Sequence, residues 1–240
     1  MNVYNQAEFE IRLEWGLRGV EELAPVSNVV IIVDVLSFST TVDIAVSRAA
    51  QVYPYQWKDE TAAEYAQSLS AILAYGRDGQ TAYSLSPSSL VNLPLNTKLV
   101  LPSPNGSTLS LATGSTSTLA GCLRNAHAVA EYAATVGNSV AVIPAGERWA
   151  DQTLRPAVED LLGAGAIISH LTGTLSPESQ SALAVFERAK SQLLPWLLES
   201  SSGKELIARG YEADIHLASE LNVSKQVPIL GNGAYQALEG

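Results

Sequence analysis

The chain has 240 residues, 47% of them hydrophobic and 16% charged, which is enough apolar material for one sizeable core. Its 14 Lys and Arg face 24 Asp and Glu, a formal charge of -10 at pH 7, and this excludes a function resting on unspecific attraction to nucleic acid or to an anionic membrane. One cysteine, Cys122, leaves no internal disulfide and no multi-thiolate metal site, and position 128 is Ala128 where a cysteine phosphatase would need an arginine.

Acids interrupt the N-terminal MNVYNQAEFEIRLEWG before any apolar block develops, which is not the pattern of a signal peptide, and a cytoplasmic location is expected. Residues 9–13 and 29–35 read as strands, 41–50 and 60–73 as helices, with a strand at 51–55 between them. The stretch GRDGQTAYSLSPSSLVNLPLN, 76–96, is dominated by Gly, Pro, Ser and Asn and reads as a long loop. Strands are expected at 98–101, 139–143 and 227–230, a helix at 126–135, and a further helix starting near Pro156. From Pro177 onward Ala182, Val185, Phe186, Ala189, Leu193 and Leu194 fall at helical spacing, and 205–208 and 213–221 continue it. The alternation predicts an α/β fold, layered α/β/α around a largely parallel or mixed sheet, with a helical C-terminal portion. Residues 1–240 are expected to form one domain; a division into two subdomains would fall in 76–98.

Three strand ends carry the chemistry. The dry run VVIIV leads into Asp34 and a cluster of hydroxyls, and ligands of open α/β sheets sit just past such strand ends. Thr40 stands three residues before Asp43, a helix-capping spacing, so Ser39 or Thr40 is expected to begin the next helix. Asp34 could then hold a hard cation such as Mg2+, with the hydroxyls and amides beside it receiving an oxyanion. LVLPSPNGSTLSLA, 99–112, repeats the plan: Asn105 and Gly106 suit a tight turn, and Ser107 and Thr108 can cap the helical stretch after it. VAVIPAGERW, 140–149, ends in Glu147 and Arg148, and the helix after it opens with Glu159 and Asp160. An acid for a metal, donors for anionic oxygens and a guanidinium are the parts of metal-assisted phosphoryl hydrolysis.

In order along the chain, VDVLSFSTTV (33–42), SPNGST (103–108), GCLRNAHAVA (121–130), AGERW (145–149), VEDLLGAGAII (158–168) and SGKELIARGYEADIHLASELN (202–222) resemble the 2-phosphosulfolactate phosphatase family. The resemblance spans nearly the whole chain. It implies a magnesium-dependent phosphatase of coenzyme M biosynthesis, converting 2-phosphosulfolactate and water to sulfolactate and phosphate. The chain departs from the family pattern at two places: Ser37, Phe38 and Ser39 stand where Arg-Ala-Thr is implied, and Pro104, Asn105, Gly106 and Ser107 where Thr-Asn-Gly-Thr is implied. Losing a guanidinium at position 37 removes an anion contact, for which Arg148 or Arg155 is the expected replacement.

The expected site has Asp34, Glu147 and Asp160 as catalytic groups and Asp34, Glu147 and Glu159 as Mg2+ ligands. Ser39, Thr40, Asn105, Gly106, Ser107, Arg148 and Arg155 are expected to hold the substrate. A covalent route through Asp34 is disfavoured, because aspartyl-phosphate phosphatases place a second Asp two residues on, where this chain has Leu36. His127, His170 and His216 are far apart in sequence and read as structural or exposed; Trp149 is the one tryptophan expected near a pocket. The expected partner is a small anionic phosphorylated substrate, with neither nucleic acid nor membrane. A homodimer could form through edge strands or the apolar 182–198 segment, which could equally pack within the chain. The rival reading is a noncatalytic protein that binds a small phosphorylated or sulfonated acid.

Overall fold

Strand β2, Val29–Val33, is buried from end to end, and its unbroken VVIIV follows from that, since a strand covered on both faces has no side left for polar residues. The structure, a computed structural model, describes residues 2–75, 77 and 82–238; of the expected 76–96 loop, residues 76 and 78–81 lie outside the described residues. The other strands are β1 (Ile11–Leu13), β3 (Gln51–Tyr55), β4 (Ile72–Leu73), β5 (Lys98–Pro102), β6 (Ser117–Gly121), β7 (Val140–Pro144), β8 (Glu147–Arg148), β9 (Leu154–Arg155), β10 (Pro228–Gly231) and β11 (Ala234–Ala237). The helices are α1 (Gly16–Leu23), α2 (Phe38–Ser47), α3 (Glu60–Leu69), α4 (Pro87–Leu90), α5 (Gly106–Ala112), α6 (Ala126–Val136), α7 (Val158–Ile168), α8 (Pro177–Ala189), α9 (Leu193–Glu199), α10 (Ser201–Ala208) and α11 (Glu212–Ala218).

Among the described residues nine strands form one sheet in the order β1-β7-β2-β6-β10-β11-β3-β5-β4, and β8 and β9 pair separately. Strands β1, β7, β2 and β6 run parallel to one another, as do β3, β5 and β4. The hairpin β10-β11 is antiparallel to both groups, so the sheet is mixed. Alternation along β2 sends Val29, Ile31 and Val33 into a core shared with α6, α7, α8 and the helices that follow them, while Val30 and Ile32 enter a second core with Val20 and Leu23 of α1 and Leu109 of α5. A third cluster joins Phe38, Val42 and Val46 of α2 to Val52, Leu99, Leu101 and Tyr235 of the sheet. Each fully buried branched side chain of this kind contributes roughly 1.5–3 kcal/mol. The result is the layered α/β arrangement with a helical C-terminal part that the sequence predicts.

Several details differ from the expectations, among them α1, which is additional, and α4, which lies inside the 76–96 stretch read as a loop. Strand β6, Ser-Thr-Leu-Ala-Gly, lacks the branched residues of its neighbours yet lies beside β2 with Leu119 opposite Ile31. Its glycine has a steric cause: a Cβ on Gly121 would come within 2.6 Å of Ile167 on α7 and 2.7 Å of Ile31. The helix expected over 60–73 stops at Leu69, where Ser70 turns left-handed at φ 51°, and Ile72–Leu73 joins the sheet edge beside β5. The second strand of the hairpin, β11, is also additional; its Tyr235 is fully buried, bonds Ser110 at 2.7 Å and packs edge-on to Phe38.

The topology positions the site. From β2, the sheet order reaches β5 only beyond β6, β10, β11 and β3, which in a flat sheet would separate them by about 24 Å. The turn after β5 nevertheless meets the turn after β2, so the sheet curls, with α2 and α5 packed against each other across the gap. Among the described residues no helix is long and apolar enough to cross a membrane.

Candidate active site

Asp34 follows the last residue of β2 and is 7% exposed. Its Oδ1 accepts the Phe38 N–H at 3.0 Å and its Oδ2 accepts the Gly106 N–H at 3.1 Å, so one carboxylate takes up an otherwise unpaired donor at the start of both α2 and α5. This close approach is why residue 106 is glycine: a Cβ there would lie 2.2 Å from the Phe38 ring. Burial raises the Asp34 pKa, opposed by the two backbone donors and by the charge of Arg77.

Glu147 begins β8, just past β7, and accepts the Asn105 side-chain amide at 3.0 Å. Burial, then the charges of Asp34 and Glu159, push its pKa from 4.5 up to about 7. Asp160 sits in the first turn of α7. Its Oδ1 accepts the Val35 N–H at 2.7 Å and its Oδ2 the Gly146 N–H at 2.8 Å, tying the turn after β2 to the turn after β7. Burial, followed by repulsion from Asp34 and Glu159, holds it well above the usual carboxylate value. Glu159 is buried and hydrogen-bonded to Ser202, and burial raises it as well. Four carboxylates thus crowd the same end of the sheet, each made reluctant to ionise.

Positive charge meets them in a pocket of about 210 Å³ whose lining includes Asp34, Asn105 and Glu147 together with Lys58, Arg77 and Arg209. Lys58 lies within electrostatic reach of both acids and both arginines. Three carboxylates (Asp34, Glu147 and Glu205), an amide and three cationic side chains in one small cavity can receive a polyanion and, beside the acids, a metal cation. Among the described residues no group of three or more His, Cys, Asp or Glu side chains is arranged to hold a metal by itself.

Residues 19–233 match the protein family described as 2-phosphosulpholactate phosphatase. The chain belongs to this family. It is similar to the 2-phosphosulfolactate phosphatase of Methanothermobacter thermautotrophicus, with 32% identity over 220 residues that cover 89% of this chain and 91% of that protein. The probable 2-phosphosulfolactate phosphatase of Carboxydothermus hydrogenoformans is 32% identical over 206 residues, covering 83% and 84% of the two chains. That of Thermotoga maritima is 27% identical over 227 residues, covering 89% and 95%. The 2-phosphosulfolactate phosphatases are phosphoric monoester hydrolases.

In this member of the 2-phosphosulfolactate phosphatase family, Asp34, Asn105 and Glu147 meet at one pocket, as the strand-end geometry predicts. The hydroxyls do not. Ser39 accepts the Asp34 N–H at 3.0 Å and donates to the Ile32 carbonyl, Thr40 donates to the Val35 carbonyl, and Ser107 donates to the Leu101 carbonyl. These side chains fasten the turns from inside. Helix α2 begins at Phe38, ahead of the expected Ser39 or Thr40, and Asp43 pairs with Arg124 at 3.0 Å and Ser224 at 2.5 Å instead of closing a capping box. Arg148 is exposed on the ribbon and points its Nη1 at the Gln152 carbonyl, so it does not line the pocket. Arg155 is half-buried and reaches the pocket wall through Ser202, bonded at 3.1 Å, with Trp149 stacked 5.8 Å away on its outer side.

The other side chains considered from sequence are structural. Cys122 is fully buried beside Asn125, and burial pushes its thiol up to about 12. The histidines are exposed, as expected, and His127 and His170, distant in sequence, pack edge to face at 4.8 Å on the surface. Sequence reasoning missed Lys58, Arg77 and Arg209, as well as Ser202 and Glu205, which also line the pocket. Ser202, Glu205 and Arg209 lie in the 202–222 segment that carried the family resemblance, and that was the available signal.

Proposed function

We propose that this chain hydrolyses 2-phosphosulfolactate to sulfolactate and phosphate at the Asp34–Asn105–Glu147 pocket. The observation that carries the reading is the meeting of these three side chains, each from the end of a different strand, with Lys58, Arg77 and Arg209 in one cavity. The partner required is a small phosphorylated acid, and the expected compartment is the cytoplasm.

The reading includes Mg2+. The donor set fits it: Mg2+ takes one or two carboxylates and fills its remaining positions with water and phosphate oxygens, and Asp34 and Glu147 both face the pocket. Four acids with raised pKa values, three buried and Glu147 half-buried, also mark a surplus of negative charge that a cation would relieve. Asp34 and Glu147 would hold the ion, with Glu159 beside Ser202 as a further carboxylate. Bound there, Mg2+ would neutralise phosphoryl charge and acidify a bound water.

The chain's own residues do the rest. Phosphoryl transfer asks for positioning and charge stabilisation more than for covalent chemistry, so no protein nucleophile is required. Lys58, Arg77 and Arg209 receive the anionic substrate. Asn105 fixes the Glu147 carboxylate through its 3.0 Å bond. As a carboxylate beside the ion, Glu147 would accept a hydrogen bond from the attacking water and orient it. Asp160, its oxygens given to Val35 and Gly146, keeps the two turns in register.

Phosphate release from 2-phosphosulfolactate, with Mg2+ and with a chelator, tests the reading. Release should require the metal and should fall by about 100-fold or more in Asp34→Asn, the scale of losing a main charge-stabilising group. Undiminished release in Asp34→Asn would remove that residue from the site. Tight binding of the phosphorylated acid with no release would make the chain a binding protein instead.

A further inference from the structure

Arg77 reaches the pocket by an unusually complete set of restraints. Its Nη2 donates to the hydroxyl of Ser37, the residue three positions past Asp34. Its Nε and Nη2 both donate to Oδ2 of Asp214 at 3.3 Å. The Tyr211 hydroxyl donates to the Arg77 carbonyl, and the guanidinium lies 5.4 Å from the Tyr211 ring centroid. Arg77 lines the pocket with Lys58 and Arg209, and its charge is felt at Asp34.

Asp214 is the revealing member. It sits in the first turn of α11, 0% exposed, and it is not part of the pocket lining. Its Oδ1 accepts the Ser86 hydroxyl at 2.6 Å and the Ser88 N–H at 3.1 Å, leaving Oδ2 for Arg77. A carboxylate carried this far from water is tolerable when it is paired and fully hydrogen-bonded, and here the pairing faces a guanidinium at the site. A guanidinium has five donors in a fixed fork; with Nε and Nη2 turned to Asp214 and Ser37, the Nη1 pair is the part suited to an incoming oxyanion.

We propose that Arg77 receives the acid group of the substrate that is not hydrolysed, a carboxylate or sulfonate, and that Asp214 is the positioning residue that aims it. The proposal rests on the phosphatase reading above. It also places the guanidinium contact at Ser37 from outside the 33–42 segment, in place of the expected Arg148 or Arg155.

The test compares 2-phosphosulfolactate with a plain alkyl phosphate in wild type, Arg77→Ala, Arg77→Lys and Asp214→Asn, with thermal unfolding of each. Wild-type turnover comes first, because its absence defeats the phosphatase reading by itself. Calorimetric binding of sulfolactate then still measures the Arg77 contact without turnover. Arg77→Ala should lose roughly 10- to 100-fold in kcat/KM for 2-phosphosulfolactate, mostly in KM, and weaken sulfolactate by a similar factor, with far less change for the alkyl phosphate. Arg77→Lys should fall between, since it keeps the charge and loses the fork. Added guanidinium ion should partly restore Arg77→Ala. Asp214→Asn should show the same substrate-selective KM rise, and the double variant should be no worse than Arg77→Ala alone. An equal loss on both phosphates would assign Arg77 to the phosphoryl group and overturn the proposal, as would unchanged sulfolactate binding. A folded Asp214→Asn protein that loses kcat on both substrates alike would overturn the positioning role.

Discussion

Glu147 gives the stability of the fold a pH dependence of definite sign. In the metal-free protein its carboxyl is raised from 4.5 to about 7, burial contributing most and the charges of Asp34 and Glu159 the remainder. Well below pH 4.5 the folded and unfolded chains both hold this proton. As pH rises the unfolded chain releases it first, so stability drains away until the folded carboxyl has also ionised, above about pH 7. At about 1.36 kcal/mol per pKa unit the whole effect is roughly 3 kcal/mol, of which roughly 2.5 kcal/mol falls between about pH 5 and about pH 8. Glu147→Gln keeps an acceptor for Asn105 and abolishes the titration. The variant should therefore be more stable than wild type at the alkaline end by up to that amount, and the gap should shrink as the pH falls. Urea unfolding of chelator-treated protein across this range gives the two curves directly. Parallel curves, or a variant no more stable than wild type at the alkaline end, would refute the claim that a charge is confined here against its preference.

Two further substitutions probe the frame around the pocket. Gly106→Ala forces a methyl group to within 2.2 Å of the buried Phe38 ring and should lower stability by about 1–3 kcal/mol while displacing the N–H that Asp34 accepts; unchanged thermal unfolding together with unchanged phosphate release would show that the contact relaxes freely. Asp160→Ala strands the buried N–H groups of Val35 and Gly146 and should cost about 2 kcal/mol in urea unfolding. A neutral or stabilised Asp160→Ala protein would mean that relief of acid repulsion outweighs the lost tether.

What the sequence reveals about this site depends on how each residue earns its position. A carboxylate ending an apolar run has few options, and Asp34 lies at the expected pocket; that its oxygens also accept N–H groups at two helix starts was not foreseen. A hydroxyl is ambiguous, because Ser and Thr bond their own backbone as readily as a ligand; Ser39, Thr40 and Ser107 all do so. Glu147 and Arg148 are adjacent on a two-residue strand, where alternation lets one side chain face the site and sends its neighbour outward. The cations were the least legible part. Lys58, Arg77 and Arg209 lie outside the apolar patterns that locate strands and helices, and Asp214 in sequence is indistinguishable from an acid that merely complements a helix N-terminus. For the fold, β6 was hidden because close packing against α7 requires glycine at 121, and its Ser, Thr and Ala lack the branched pattern that announces a strand.

The hairpin β10-β11 has a bearing on how the molecule is made. It stands between the two parallel groups, with Ile229 opposite Leu119 and Tyr235 opposite Val52. A nascent chain emerging from the ribosome exposes β3 and β6 long before the hairpin is synthesised. Until then the sheet exists as two fragments, each with an open row of amides and carbonyls along a greasy border. Asp34 and Glu147 ride on one fragment and Asn105 on the other, so a working pocket waits on the late-made hairpin. Partly synthesised chains are the species most prone to clump, and a chaperone that shields those two borders would raise the yield of active protein.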